Sequence, residues 1–431
     1  MSTPNEIADL ERTFDRLWPL NRSLTGDGVR RTHEILSEIV PLQRTEIPSG
    51  TKVFDWTVPP EWRFREAYVI DPAGRRILDA SLNNLHLVSY SSPFSGTLSR
   101  AELEPHLHSL PELPDAVPYV TSYYQERWGF CLSQRERDAL PDGEYRVVVD
   151  TEFDPDGSLT LSEAVLPGDT DREVLISTYT CHPSMANNEL SGPLVAAFLY
   201  RRLAARRDRR LTYRFAFLAE TIGAVAYLTL RGELLKRSLV GGLVATCVGM
   251  DAPCLYKRSV GGNTAIDRAA EQVFLERGAP YEIVDFYPWG SDERQYCSPG
   301  FELPVGCLMR GHFFDRPEYH TSLDNRDFLS FQALADSIDV YEEICLALDR
   351  NATYRNRVGF GEPQLGRRGL YPSVGARRTV EQERRDLMWL LSQANGERDL
   401  LEIAARSGSR MEDLHSAAKK CLDADLLEVC N

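Results

Sequence analysis

EVLISTYTCHPSMANNELSGPLVAAFLYRRLAARRD, residues 173–208, reads as a buried strand, a polar turn and a helix. The run 173–180 is mostly apolar, as a strand covered on both faces must be. LVAAFLYRRLAARRD (194–208) has helical composition and spacing. Between them, where a strand-to-helix turn needs only a few polar residues, stand His182, Asn187, Asn188 and Glu189.

The same alternation repeats outward. LTYRFAFLA (211–219) is a strand and IGAVAYLTLRGELL (222–235) a helix. LVATCVG (243–249) is a strand, 264–278 a helix ending on Gly278, ELPVGCLM (302–309) a strand and 327–349 a long amphipathic helix. This order predicts an α/β fold, a mostly parallel sheet with helices on both faces. Ligands of such sheets sit beyond the carboxyl ends of the strands.

The flanks differ in texture. Residues 5–20 carry Ile7, Leu10, Phe14 and Leu17 at helical spacing, and Asp27 is placed to cap a second helix ending before Pro41. Residues 51–150 are rich in Pro, Trp, Tyr and short alternating runs, and read as an inserted β-rich module. Residues 351–378 are loop-like. Helical patterns at 380–394, 399–406 and 411–424, then a closing DLLEVC, suggest a winged-helix domain. The expected division is therefore 1–50 with 151–368 as the main α/β domain, 51–150 as the insert, and 369–431 as the winged helix.

Composition narrows the function classes. The chain has 431 residues with 49 Lys+Arg against 64 Asp+Glu, a net charge of −15. That balance argues against a general nucleic-acid binder and against docking on an anionic membrane. Residues 370–431 hold nine Lys/Arg against eleven Asp/Glu, net −2, so the winged helix is expected to pack on the body or mediate association, not to read DNA. The N-terminus lacks the basic start and apolar core of a signal peptide, and no apolar run is long enough to span a bilayer. Nine cysteines without a CxxC pair fit a reduced, cytoplasmic setting. No GxGxxG fingerprint, GxSxG elbow or P-loop is present.

Polar clusters recur at the expected strand ends. His182 to Glu189 follow the first strand, Glu220 and Thr221 the second, and Asp251 the third; Glu318, His320 and Asp324 follow the last, and Asp292 and Glu293 lie in the loop before it. One such cluster means little, because a lone histidine is usually just hydrogen-bonded and a lone glutamate usually caps a helix. Several at adjacent strand ends converge in space. Two histidines with carboxylates suit zinc, and a glutamate beside a metal can take a proton from water.

These residues carry a resemblance. The landmarks are NRSLTGDGVR (21–30), CHPSMAN (181–187), LSGP (190–193), ETIG (220–223), GSDERQYCSPG (290–300), LPVG (303–306), MR (309–310), PEYHTS (317–322) and GRRGLYP (366–372). The chain resembles the zinc aminopeptidase-like family, which includes glutaminyl cyclases. It is most similar to bacterial aminopeptidase-like domain proteins with an inserted β-module and a C-terminal winged helix. The resemblance implies that His182 and His320 are metal ligands, that position 188 is the bridging carboxylate, that Glu220 is the general base and that position 250 completes the first metal site. Asp292, Arg294, Arg310, Glu318 and Tyr319 would shape the substrate pocket, in a biosynthetic setting.

Two positions depart from the pattern: Asn188 stands where the bridge is expected, and Met250 where a carboxylate is expected, with Asp251 next to it. Two divalent ions without the bridging anion would repel. The expectation is one zinc ion, held by His182, His320 and one carboxylate from Glu220, Glu189 or Asp251. Three readings stay open. The first is a metal-dependent amide hydrolase or acyl-transfer enzyme on a small amino-acid-like or peptide-like substrate. The second is a pseudo-peptidase serving as a binding or scaffold protein. The third is a winged-helix regulator with a ligand-sensing front end. Nothing in the residues demands a homo-oligomer, although appended modules often mediate association.

Overall fold

Alternate residues of strand Glu173–Tyr179 enter two separate cores: Val174 and Ile176 join one, Leu175 and Tyr179 the other. That is the period-two reading of a strand covered on both sides. The computed structural model describes residues 3–370 and 378–430, apart from the side chains of 378–380. The end of the loop-like stretch 351–378 and the Tyr371–Pro372 end of GRRGLYP lie outside the described residues.

The sheet has eight strands in the order Gln43–Pro48, Ser158–Leu166, Thr212–Leu218, Glu173–Tyr179, Leu239–Ala245, Val305–Arg310, Cys254–Lys257, Tyr281–Val284. The four central strands run parallel. Ser158–Leu166 joins them antiparallel on one side and Cys254–Lys257 on the other. Helices Ser191–Ala205, Ala265–Arg277 and Phe331–Arg350 cover one face, and Ile222–Ser238 covers the other. The α/β class expected from the sequence is the one observed.

Glycine sets two close approaches. At Gly192, opening the Ser191 helix, a Cβ would lie 2.2 Å from the Ala245 carbonyl oxygen and 2.4 Å from Thr178 Oγ1. At Gly26, φ is +100° and a Cβ would meet the Trp62 carbonyl oxygen at 2.4 Å. Gly26, not Asp27, is the cap of helix Asp27–Leu36, and no side chain caps it; Asp27 lies within the first turn. The close backbone crossing at Trp62 requires glycine there.

The inserted module forms a four-stranded antiparallel sheet, with Glu61–Ile70 and Glu144–Asp154 at its centre, so it runs past the boundary expected at 150. A loop from this insert reaches back over the main domain. Pro118 pairs with Thr321, and the Tyr119 N–H donates to the His320 carbonyl at 2.8 Å. At the C-terminus, strands Thr353–Asn356, Asn395–Asp399 and Leu427–Val429 form a sheet beside helices Leu400–Ser407 and Met411–Asp423. Its central strand, Thr353–Asn356, precedes the boundary expected at 369, because that strand is too short and polar to show a period in the sequence. This module packs on the body: Gln272 Nε2 donates to the Ser409 carbonyl at 3.2 Å, and the Met411 N–H to Glu276 at 2.8 Å. Among the described residues, no helix is long and apolar enough to cross a membrane. All nine cysteines are free thiols.

Candidate functional site

The carboxyl ends of the central strands meet under the Tyr119 loop. Four non-glycine residues there have left-handed backbone: Ser184 (φ +46°), Thr221 (+63°), Cys247 (+51°) and His320 (+56°). Such conformations cost energy in ordinary residues and gather where the surrounding structure enforces a function.

His182 is held from one side. Its Nδ1 lies 3.1 Å from Glu189 Oε2, and the other Glu189 oxygen lies 3.3 Å from Arg22 Nε. Arg22, Glu189 and His182 are all buried, and Arg22 also donates from Nε to the His182 carbonyl at 2.9 Å. Burial opposes a charge on His182, but the hydrogen bond and charge of Glu189, with Glu220 beyond, hold its pKa above the usual imidazole value. With Nδ1 tied, Nε2 faces Glu220 Oε2 at 3.9 Å.

Glu220 follows strand Thr212–Leu218 and accepts from Ser291 Oγ at 2.9 Å. Burial raises its carboxyl pKa. Next in sequence, Thr221 has φ +63° and ψ −77°, with the Ile222 N–H bonded back to the Glu220 carbonyl at 2.8 Å. This is the rare, strained form of the γ-turn. Asp292 accepts the Thr221 N–H at 2.7 Å, and Arg294 Nη2 donates to Thr221 Oγ1 at 2.9 Å. Burial, followed by the charge of Glu220, pushes the Asp292 carboxyl well above its ordinary range.

His320 faces His182 with ring centres 5.5 Å apart; Tyr319 stacks on it at 3.9 Å, and Tyr119 lies 5.1 Å and 5.3 Å from the two imidazoles. Burial, then the charge of His182, lowers the His320 pKa to about 3. Asn188 donates its N–H to Asp324 at 2.8 Å and its side-chain N–H to Tyr179 Oη at 3.1 Å and toward Cys247 Sγ at 3.8 Å. Its Oδ1 is buried without a partner. Glu318 and Tyr319 line a cavity of about 10 Å³ with Asn188 and Cys247.

The structure thus brings together His182, Asn188, Glu189, Glu220, Asp292, Arg294, Glu318, Tyr319 and His320. It does not bring Asp251 or Arg310 there. Strand Leu239–Ala245 ends earlier than the expected 249, and the chain turns at Cys247, so Cys247 stands beside Asn188. Met250 is buried, packed near Gly311, and Asp251 is exposed on a separate groove with Arg277 and Asp336. Arg310 donates to Ser337 Oγ at 2.7 Å and the Ala252 carbonyl at 2.8 Å and pairs with Asp336. Glu189 is committed to Arg22 and His182, which makes it an orienting group rather than a free ligand. His312, at the same strand exit, pairs with Glu282 on the surface. Arg22, Tyr119 and Cys247 were not expected at the site; only the NRSLTG landmark hinted at Arg22.

A divalent ion can be tested against this donor set. Two imidazoles sharing a tetrahedral zinc place their ring centres about 5 Å apart, given Zn–N bonds of about 2.0–2.1 Å. The 5.5 Å spacing of His182 and His320 is close to that, with Asn188 Oδ1 nearby and unpartnered. Among the described residues, the trio of His, Cys, Asp and Glu side chains with ligand atoms all within 4.8 Å of one another is Cys181, His182 and Glu189. That trio does not fit a cation, because Arg22 already supplies the positive charge and burial keeps the Cys181 thiol protonated. For a second ion, Asn188 is neutral, Thr221 Oγ1 is taken by Arg294 and burial pushes the Cys247 thiol up to about 12. The carboxylates lining the cavity with Asn188 are Asp324, which accepts the Asn187 and Asn188 N–H groups, and Glu318, whose Oε2 is buried without a partner.

Comparison with known proteins agrees with this architecture. Residues 12–351 match a family described as a domain of unknown function, DUF4910, and residues 352–429 match a winged helix-turn-helix family. A Clostridium acetobutylicum protein, named as a candidate polysaccharide biosynthesis protein with an aminopeptidase-like domain, is 43% identical over 428 residues, 99% of this chain and 97% of its own. The crystal structure of a candidate peptidase from Clostridium acetobutylicum aligns with a TM-score of 0.91 at 41% identity, covering 99% of this chain and 97% of that one. A zinc aminopeptidase from Bacillus subtilis shares the fold alone, with a TM-score of 0.56 at 14% identity over 80% of this chain and 95% of that one. The chain belongs to the DUF4910 family, whose aminopeptidase-like α/β domain is followed here by a winged helix-turn-helix.

Proposed function

We propose that this protein is a metal-dependent amide hydrolase, or an acyl-transfer enzyme of the same chemistry, acting on a small amino-acid-like substrate. The observation that carries the reading is Glu220, set 3.9 Å from His182 Nε2 while Glu189 fixes Nδ1 and His320 stands opposite. His182 and His320 would hold one zinc ion, with Asn188 Oδ1 as a neutral oxygen donor. Such an ion polarises a carbonyl and acidifies water. Glu220 takes a proton from the attacking water, or from an acceptor amine in acyl transfer, and returns it to the departing amine. Its raised pKa brings a carboxylate closer to the working pH, where a general base is most effective. The Tyr119 loop roofs the two imidazoles, which favours small or terminal substrates over folded proteins. The name of the Clostridium relative supports a biosynthetic role.

A second reading has its own observation. Asn188, Thr221 and the Cys247 thiol are neutral at the places around the histidines where a dinuclear centre needs anions, as in a pseudo-peptidase kept for binding. Elemental analysis of protein purified without chelator separates the two. The hydrolase reading expects one zinc per chain, and a Glu220→Gln variant that keeps fold and metal while turnover of aminoacyl amides falls by about 100-fold or more. Two ions per chain would refute the single-ion site. No metal even with zinc in excess would favour the binding role.

A further inference from the structure

Arg294 is the cation at this site that makes no direct ion pair among the described residues, although its charge acts on the buried Glu220 and Asp292 carboxylates. The other buried arginines around the sheet are paired: Arg22 with Glu189, Arg214 with Glu163 and Glu173, and Arg310 with Asp336. Arg294 is half-buried and has no ion pair among the described residues. Its one hydrogen bond runs from Nη2 to Thr221 Oγ1, and its Nε is buried without an acceptor. A guanidinium offers five N–H donors in a planar fork matched to a carboxylate. Leaving them unmet in a partly desolvated place is costly. Glu220 and Asp292 lie within electrostatic reach of Arg294, yet neither carboxylate hydrogen-bonds to it, so its remaining N–H groups have no protein acceptor among the described residues.

Its position couples it to the proposed chemistry. Arg294 grips Thr221, the residue after Glu220, and Ser291 in the same GSDER segment donates to Glu220 itself. We infer that Arg294 binds a carboxylate of the substrate, so that the site selects amides carrying a free carboxylate close to the scissile bond, such as N-acyl amino acids or short peptides with a free C-terminus. This rests on the hydrolase reading for the scissile bond, but the binding preference stands apart from turnover. The competing account is that Arg294 only props the strained Thr221 turn. A prop would affect charged and neutral ligands equally.

The test uses the full chain and paired probes: N-acetyl-L-amino acids and dipeptides, each against its C-terminal carboxamide, at up to millimolar concentration, by calorimetry. The wild type should bind the carboxylate member about tenfold or more tightly, as expected for a charge-assisted hydrogen bond from the terminal guanidinium nitrogens. Arg294→Gln, which keeps a donor for Thr221 but no charge, should erase the preference, and Arg294→Lys should retain part of it. Equal affinity for both members in the wild type, binding of neither, or a preference that survives in Arg294→Gln would each overturn the proposal. If Arg294→Gln does not fold, the wild-type comparison and Arg294→Lys still decide. Glu220→Gln should keep the preference while losing turnover. A preference without any turnover would sink the hydrolase reading and leave this one intact. Turnover indifferent to the carboxylate would do the reverse.

Discussion

The two sides of the site are held in opposite ways. On the His182 side, a buried ion pair of 3.3 Å joins Arg22 to Glu189, and a 3.1 Å hydrogen bond joins Glu189 to the imidazole. His33 adds a tie below it, bonding Thr180 at 2.9 Å and Ser162 at 2.8 Å. On the Glu220 side, a strained turn at Thr221 is pinned by Asp292 and Arg294, and Asp292 Oδ2 and Arg294 Nε lack partners. The first side is built to fix one orientation. Buried atoms without hydrogen-bond partners occur on both sides, Arg22 Nη2 and Glu189 Oε1 on the first, but the second adds a strained turn directly beside the proposed base.

The largest effect should separate the sides by stability. Arg22→Ala strands a fully buried Glu189 and should cost about 3–5 kcal/mol. Arg294→Gln, half-buried and unpaired, should cost under about 1 kcal/mol. Denaturant unfolding of both variants checks this, and equal losses would erase the contrast.

A pH titration sharpens the same side. Burial, the main cause, lowers the His33 pKa from 6.5 to about 3. The unfolded chain therefore binds more protons between those values, and stability that is complete above about pH 6.5 drains away as pH falls toward 3. Between pH 7 and pH 5 the loss should be on the order of 1–2 kcal/mol. A His33→Gln variant should lack that part of the slope. An unchanged slope would remove His33 from the account.

The smallest effect concerns the strained turn. Thr221→Gly relieves a left-handed backbone but gives up the Arg294 contact and gains unfolded-state freedom, so stability should stay within about 1 kcal/mol of the wild type. Turnover should nevertheless fall, because the turn aims Glu220. A melting curve and an assay on the same preparation test it, and unaltered turnover would mean the strain has no role there.

Much of this was legible before any coordinates. Buried parallel strands are apolar throughout, so 173–180 and 211–219 declared themselves, and the polar residues after them marked the site. The short edge strands Cys254–Lys257 and Tyr281–Val284 did not, because their residues are mixed and partly exposed. Met250 and Asp251, expected at the site, lie away from the histidines for a related reason. One or two residues past a strand end, the backbone turn decides which way a side chain points, and the left-handed Cys247 redirects everything after it.

The sequence by itself determined the α/β class, the winged helix, the family resemblance and the cluster of His182, Glu220 and His320, because periodicity and residue type are local properties. Only the tertiary structure decided that Glu189 serves Arg22 and His182, that Cys247 rather than Met250 or Asp251 stands beside Asn188, that Tyr119 roofs the imidazoles and that Arg294 is left unpaired. Those facts depend on which distant side chains share one small volume, and on the register and turn geometry that bring them there.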